Sequence, residues 1–276
     1  MKFEHTEVFN FEGALRGMRN PLNSWAKSDS VFSIECDHEG MYHSDEVADA
    51  WADYRLKGTT FATEDQYDEE WECVRDEAQA WLWDNGMTWV SGDHHYTANY
   101  IGPNDMELCR KLINGGSEHR KFLRQIMVSV DITAPLFWWK EFDTYKVGTT
   151  ANSTSTMHKL ASTPITLECF EIDDLSDMEL ELPMRGITPN LQEWTNAVVD
   201  GCEALRQKYN ETKDKRYWKE LIRWLPNGWL QTRTVTMNYE NLRSMAHQRM
   251  GHKLSEWHTF LEWANTLPYA KELIFD

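Results

Sequence analysis

Charge is spread so unevenly along this 276-residue chain that it divides the sequence before any motif is read. Residues 31–100 hold 17 of the 45 acidic residues and 3 of the 28 basic ones (Arg55, Lys57 and Arg75), so they carry −14 of the net −17. The rest of the chain sums to −3. Like charges at that density repel unless they face water, so this stretch reads as a solvated acidic module on an almost neutral body. Within it Val47, Trp51 and Tyr54, then Trp71, Val74, Ala78 and Trp81, recur at three- and four-residue spacing and mark helices. Trp51, Trp71, Trp81, Trp83 and Trp89 supply aromatic surface that packs those helices onto the body or presents a platform to a ligand or partner.

With 41% hydrophobic and 13% aromatic residues the chain closes a real core, and we read residues 1–276 as one domain with an acidic, Trp-rich insertion at about 31–103. No leader-like segment opens it and no apolar run approaches the roughly 20 residues that span a bilayer, so a cytoplasmic, membrane-free protein is expected. Cys36, Cys73, Cys109, Cys169 and Cys202 are odd in number and widely spaced, which suits reduced thiols. The acidic balance argues against nucleic acid as a partner.

The chain opens on an alternating segment (Phe3, His5, Glu7, Phe9) followed by LRGMRNPLNSW, a strand and then a short helix or loop with Arg16 and Arg19. MELCRKLINGG reads as a helix stopped by Gly115 and Gly116, with Ser117 able to cap a following one. Arg120 to Trp139 is apolar with a break at Pro135, and GTTANSTSTMHKLAST is a hydroxyl-rich loop entering a helix. The acidic stretch Glu168 to Met184 reads as a surface connection. Helices are expected at about Leu191–Tyr209, Arg216–Leu225 and Asn238–Trp263, the last with a shift near Gly251.

Two separated stretches, APLFWWKEFDTYKVGTTANSTSTMHKL from Ala134 and WLPNGWLQTRTVTMNYENLRSMAHQRMGHKLSEW from Trp224, resemble flavin-dependent thymidylate synthases in order and spacing. In the second, Leu225-Pro226, Thr236-Met237-Asn238, Leu242 and Arg249 match in one register, and Ser255-Glu256-Trp257 matches after one inserted residue. In the first, the family's Arg-Gln falls on Lys140 and Glu141, its Arg-His-Arg on Thr144, Tyr145 and Lys146, and its motif serine on Thr154, while Lys159-Leu160 is retained. Upstream, His119 falls on a family histidine and Gln125 on a second one that touches the flavin.

The resemblance implies an α+β fold with a central antiparallel sheet and long helices, FAD as cofactor, NADPH and methylenetetrahydrofolate as co-substrates, and one-carbon transfer to C5 of a pyrimidine nucleotide such as dUMP. It also implies a homotetramer. Carried over residue by residue, Asn238, Tyr145 and Lys146 become cofactor contacts, and Arg249, Arg223 and Thr154 substrate contacts. The departures matter chemically: a guanidinium forks onto a phosphate, whereas a threonine offers one hydroxyl. Thr144, Thr156, Glu141 and Glu240 all stand where the family is more cationic or neutral.

Other readings are open. Asn238 serves equally as a helix cap, and the hydroxyls of residues 149–156 as turn formers or a phosphate cradle. Cys36, His38, His43, Cys73, His94 and His95 match no standard zinc spacing, so no metal is expected, and His247, His252 and His258 are spaced as structural histidines. The lost arginines suit either a less charged substrate, such as a nucleoside or base, or a binding protein that has kept the fold and reaches a basic protein partner through its acidic segment.

Overall fold

The computed structural model describes residues 1–36, 43–56, 59–85, 90–92, 95–172 and 190–276. In chain order the elements are β1 (Lys2–Phe9), α1 (Phe11–Arg19), β2 (Val31–Cys36), α2 (His43–Leu56), α3 (Glu64–Asn85), β3 (Val90–Gly92), β4 (His95–Tyr100) and α4 (Pro103–Asn114). They continue with β5 (Met127–Pro135), α5 (Leu136–Phe142), β6 (Thr150–Ser153), α6 (Thr156–Lys159), α7 (Leu191–Thr212), α8 (Lys215–Trp224), β7 (Leu230–Asn238), α9 (Tyr239–Arg249) and α10 (Ser255–Asn265). A four-stranded antiparallel sheet has the order β1-β5-β7-β6, and a three-stranded sheet the order β2-β4-β3. The mixed helix and sheet content is the class expected. β5 shows why: Val128, Val130, Ile132 and Ala134 are fully buried and alternate with half-buried Met127, Ser129, Asp131 and Thr133, the period of a one-sided strand.

The chain forms two compact units. One comprises Met1–His5, Val130–Lys146 and Thr150–Val235, the other Thr6–Ser129, Val147–Thr149 and Thr236–Asp276.

In the first unit Pro135 ends β5, and the first N–H groups of α5 are satisfied outside the helix: Leu136 donates to Trp229 O at 3.0 Å and Phe137 to Asn227 O at 3.1 Å. Trp138, Trp139 and Phe142, at three- and four-residue spacing, bury the inner face of α5. The Arg233 guanidinium lies 4.2 Å from the centre of the Trp139 ring and donates to Asp143 at 2.6 Å. A second cluster, Leu160, Ile165, Phe170, Val199, Cys202 and Leu221, packs α7 and α8 over the loop that precedes them. Glu203 of α7 fastens that loop by accepting the Ile165 N–H at 2.8 Å, and it pairs with Arg206 at 2.7 Å. The Arg206 hydrogen bond, the Ile165 N–H and Gln207 outweigh burial and hold the Glu203 carboxyl down at about 2.

The second unit is built around a buried polar knot. Arg19, at the end of α1, donates from Nε to Asp105 Oδ1 at 2.5 Å, with Arg19 5% exposed and Asp105 fully buried. The other Asp105 oxygen accepts from the Ser28 and Ser30 hydroxyls at 2.6 and 2.5 Å. Asp29 accepts the Asn104 and Asp105 N–H groups at 2.8 and 3.0 Å and so caps α4. Gly102, the residue before that helix, has no side chain to do so, and a Cβ there would lie 2.2 Å from Asp29 O. Above the knot, Trp51 of α2 is buried with its ring centre 4.0 Å from that of Tyr100, and Trp71 of α3 donates to Asp53 at 2.8 Å. The Trp81 and Trp83 side chains, and Trp89 altogether, lie outside the described residues.

The single helix expected over Asn238–Trp263 is two, α9 and α10, broken at Met250–Leu254 around Gly251. Glycine in a helix interior costs about 1 kcal/mol relative to alanine, which favours the break there. Ser117 begins no regular α-helix. The chain turns into a 3-10 helix at Lys121–Arg124 instead. Two fully buried phenols tie the C-terminus down: Tyr239 donates to Pro268 O at 2.7 Å, and Tyr269 donates to Asn99 O at 3.0 Å while accepting from the Ile101 N–H at 2.8 Å. Burial pushes both phenols well above their ordinary pKa.

Two outcomes follow from these networks. Asp105→Ala leaves the Arg19 guanidinium buried and unpaired, and should cost about 3–5 kcal/mol of unfolding free energy in urea titrations. Because the Glu203 pKa is depressed on folding, its contribution is present above the unfolded value of 4.5 and disappears as pH falls towards about 2. Unfolding free energies measured from pH 6 to 2 should therefore fall less steeply in Glu203→Gln than in the parent, with a difference of about 2–3 kcal/mol at pH 6.

Candidate functional site

In the second unit the end of α1, the loop that follows it, α4 and residues 118–125 border an open groove of about 730 Å³. Its position follows from the knot beneath it, because Arg19 fixes the end of α1 against α4. Two glycines permit the close approaches. A Cβ on Gly17 would lie 2.7 Å from Gln125 Oε1, and one on Gly115 within 3.1–3.2 Å of the His119 side chain. Asn10 Nδ2 donates to Gln125 O at 2.9 Å and holds that turn. The loop itself is shaped by Asn23 in the left-handed region (φ 48°) and by Trp25 Nε1 donating to Asn20 Oδ1 at 2.9 Å.

The groove has apolar lining from Leu108, Leu112 and Phe122, amides from Asn23, Asn104 and Gln125, the imidazole of His119, and ammonium groups from Lys27, Lys111 and Lys121. Lys111 is paired with Glu107 at 2.5 Å and Lys121 with Glu118 at 3.9 Å, and both carboxylates also line the groove. The Lys111 hydrogen bond and charge hold the Glu107 carboxyl below its ordinary pKa. Such a surface, amides and an imidazole beside apolar side chains, can donate and accept along the edge of a heterocycle. The groove lysines escaped the sequence reading because Lys27 and Lys121 are far apart in the chain. The Glu107–Lys111 spacing of one helical turn was the legible signal.

Of the residues that the sequence points to, His119 and Gln125 line this groove and the others do not. Asn238 is the N-cap of α9, 7% exposed, and it accepts the Asn241 N–H at 2.9 Å while the Asn241 side chain accepts the Asn238 N–H at 3.2 Å. The loop 147–149 packs onto this cap. Asn241 Nδ2 donates to Val147 O at 2.7 Å, and a Cβ on Gly148 (φ 79°) would lie 2.8 Å from Asn238 Nδ2. Arg249 closes the same helix eleven residues on, its guanidinium 4.7 Å from the centre of the Trp257 ring. α9 therefore holds Asn238 and Arg249 at opposite ends, about 16 Å apart along its axis. Glu240, where the resemblance has an arginine, accepts twice from Arg120 Nε at 2.9 and 3.1 Å.

In the first unit, Thr144 closes the turn after α5, its N–H and hydroxyl both donating to Glu141 O at 3.0 and 2.7 Å. Tyr145, half-buried, donates its N–H to Phe142 O, and Lys146 is exposed. Thr154 is exposed and is held to β7 by its backbone: its N–H donates to Thr232 O at 2.9 Å, and its carbonyl accepts from Gln231 Nε2 at 2.8 Å. Arg223 pairs with Glu220 on the surface of α8. Of the metal-ligand types, Cys73 is an exposed free thiol, while His38 and His94 and the side chains of Cys36, His43 and His95 lie outside the described residues. Among the described residues no group of three or more histidines, cysteines or carboxylates is placed to hold a metal, and no helix is long and apolar enough to cross a membrane.

No protein-family model matches the chain, and no curated protein matches it significantly. Among solved structures it is similar to the flavin-dependent thymidylate synthase ThyX from Helicobacter pylori complexed with FAD and dUMP, at 17% identity and a TM-score of 0.45, over 63% of this chain and 83% of that one. A second structure of the Helicobacter pylori enzyme with FAD and dUMP aligns at 17% identity and a TM-score of 0.46, over 74% of this chain and 90% of that one.

Two of the three lysines in the groove face carboxylates of their own. Asn238 serves α9 as a cap whatever else it does. Asn238→Ala should cost about 1 kcal/mol in thermal or urea unfolding, whereas Asn238→Asp, which keeps the accepting oxygen and loses the Nδ2 donor, should unfold close to the parent.

Proposed function

We propose that this chain is a divergent flavin-dependent thymidylate synthase-like protein that binds a heterocycle of the flavin or pyrimidine class in the groove of its second unit. One observation carries the reading. His119 and Gln125, which the sequence register sets on two family histidines, the second of them a flavin contact, line the same groove, each beside a glycine that admits its side chain. Each amide of that groove can both donate and accept, which is how a pyrimidine or isoalloxazine edge is read.

In this reading a bound flavin supplies hydride and one-carbon chemistry, with NADPH and methylenetetrahydrofolate as co-substrates and C5 of a pyrimidine as acceptor. The protein's part is to bind and orient. Gln125, neutral at every accessible pH, replaces a titratable imidazole with an amide whose donor and acceptor are both fixed. Tyr145, Lys146, Thr154, Arg223 and Arg249, contacts that the resemblance implies, do not line this groove.

The test is direct binding. The visible spectrum of the protein as purified should carry a flavin band. Failing that, FAD, riboflavin, deoxyuridine or deoxyuridylate should raise its melting temperature in a saturable way. Gln125→Ala should weaken the binding about tenfold, the worth of one or two hydrogen bonds. Absence of a flavin band together with no saturable shift from any of the four would sink the proposal.

A further inference from the structure

A smaller cavity of the second unit, about 250 Å³, is bordered by α4 and the turn Lys271–Phe275. Arg110, Ile113 and Asn114 line it from α4 at three- and four-residue spacing, and Glu272 and Asp276 line it from the other side of the chain. The turn is a π-helical one, closed by the Asp276 N–H donating to Lys271 O at 2.8 Å. It is firmly held: Leu273 and Ile274 are fully buried, the Leu273 N–H donates to Tyr269 O at 2.9 Å, and Arg243 Nη1 donates to Ile274 O at 3.2 Å. Glu272 is only 7% exposed, yet among the described residues its carboxylate has neither a hydrogen bond nor an ion pair. A carboxylate so withdrawn from water is costly until a donor or a cation meets it. Arg110 is exposed at the same cavity and is likewise without an ion pair among the described residues. Two opposite charges thus border one cavity without neutralising each other. Asp276 is differently placed, because its charge already acts on the Arg243 guanidinium.

We propose that this cavity binds a small zwitterion of the α-amino acid class, its ammonium group donating to Glu272 and its carboxylate accepting from Arg110 and Asn114. A guanidinium offers a carboxylate a planar fork, the Asn114 amide adds a donor one turn along the same helix, and an ammonium brings three donors to an acceptor-only Glu272. Ligands with one charge fit less well. A simple amine leaves Arg110 unmet, and a simple carboxylate is repelled by Glu272 and Asp276. Buried Ile113 gives the ligand's side chain an apolar contact. The volume lies below the roughly 300–1,000 Å³ of sites for drug-sized ligands, which suits a ligand of few heavy atoms. This site is separate from the groove and stands independently of the heterocycle reading.

The experiment is calorimetry on the full chain with L-serine, L-leucine and L-lysine, each also as its methyl ester and its N-acetyl derivative, at up to about 10 mM. At least one of the three amino acids should bind saturably, and removing either of its backbone charges should weaken binding about tenfold. Glu272→Gln should weaken the amino acid about tenfold and leave its N-acetyl derivative, which has no ammonium group, unchanged. Arg110→Gln should weaken the amino acid similarly and leave its methyl ester unchanged. Arg110 is exposed, so that variant folds as the parent does and decides the matter even where Glu272→Gln is unstable. Saturable binding of none of the three amino acids overturns the proposal. So does an affinity that the methyl ester matches, or one that Arg110→Gln leaves intact.

Discussion

The second unit depends on one buried ion pair. Arg19 and Asp105 are both almost completely removed from water, and a buried pair of that kind is tolerated only when the remaining lone pairs and protons are satisfied. Here they are: Ser28 and Ser30 complete the carboxylate, Ser24 O takes a further guanidinium proton, and Asp29 caps the helix on which Asp105 sits. The net contribution of such a pair to stability is small. Its consequence is specificity, because α1 and α4 have one relative position in which every member of the network is satisfied. The groove is a by-product of that position. It opens where α1 ends and the chain must loop back to deliver Ser28, Asp29 and Ser30 to Asp105.

The acidic segment follows a related rule. Its eight glutamates and aspartates between Glu64 and Glu77 of α3 are exposed, while Ala48, Trp51, Ala52, Leu56 and Ala78 take the buried positions. Arg55 and Arg75, two of its three basic residues, are used inside the unit: Arg75 pairs with Asp49 at 2.6 Å and Arg55 lies 3.7 Å from Asp29 and over the Trp51 ring. The cations therefore hold the segment together and the acids solvate it.

Regular elements with a strong period were legible from residues alone, and sites assembled from distant residues were not. The alternation of β1, the Asn238 cap of α9 and the Pro135 break each have a local physical cause, so the sequence shows them without tertiary information. The division of α9 from α10 was visible only as a phase shift near Gly251, because a helical stripe looks the same on two short helices as on one long one. Glu240 illustrates the opposite limit. A carboxylate in place of a cation looked like a simple loss, and only the structure places Arg120 on it from a loop 120 residues earlier. The substitution is compensated, and that position holds one positive and one negative group where the resemblance has a positive one.

Three ion pairs of the second unit differ in what they can contribute. Glu107 with Lys111 and Glu118 with Lys121 are exposed on both sides, and surface pairs of that kind contribute little to stability, typically less than about 1 kcal/mol. Glu240 with Arg120 is more withdrawn from water, so loss of either partner leaves the other charge without its counterion at a partly buried position, which costs more than the pair itself contributes.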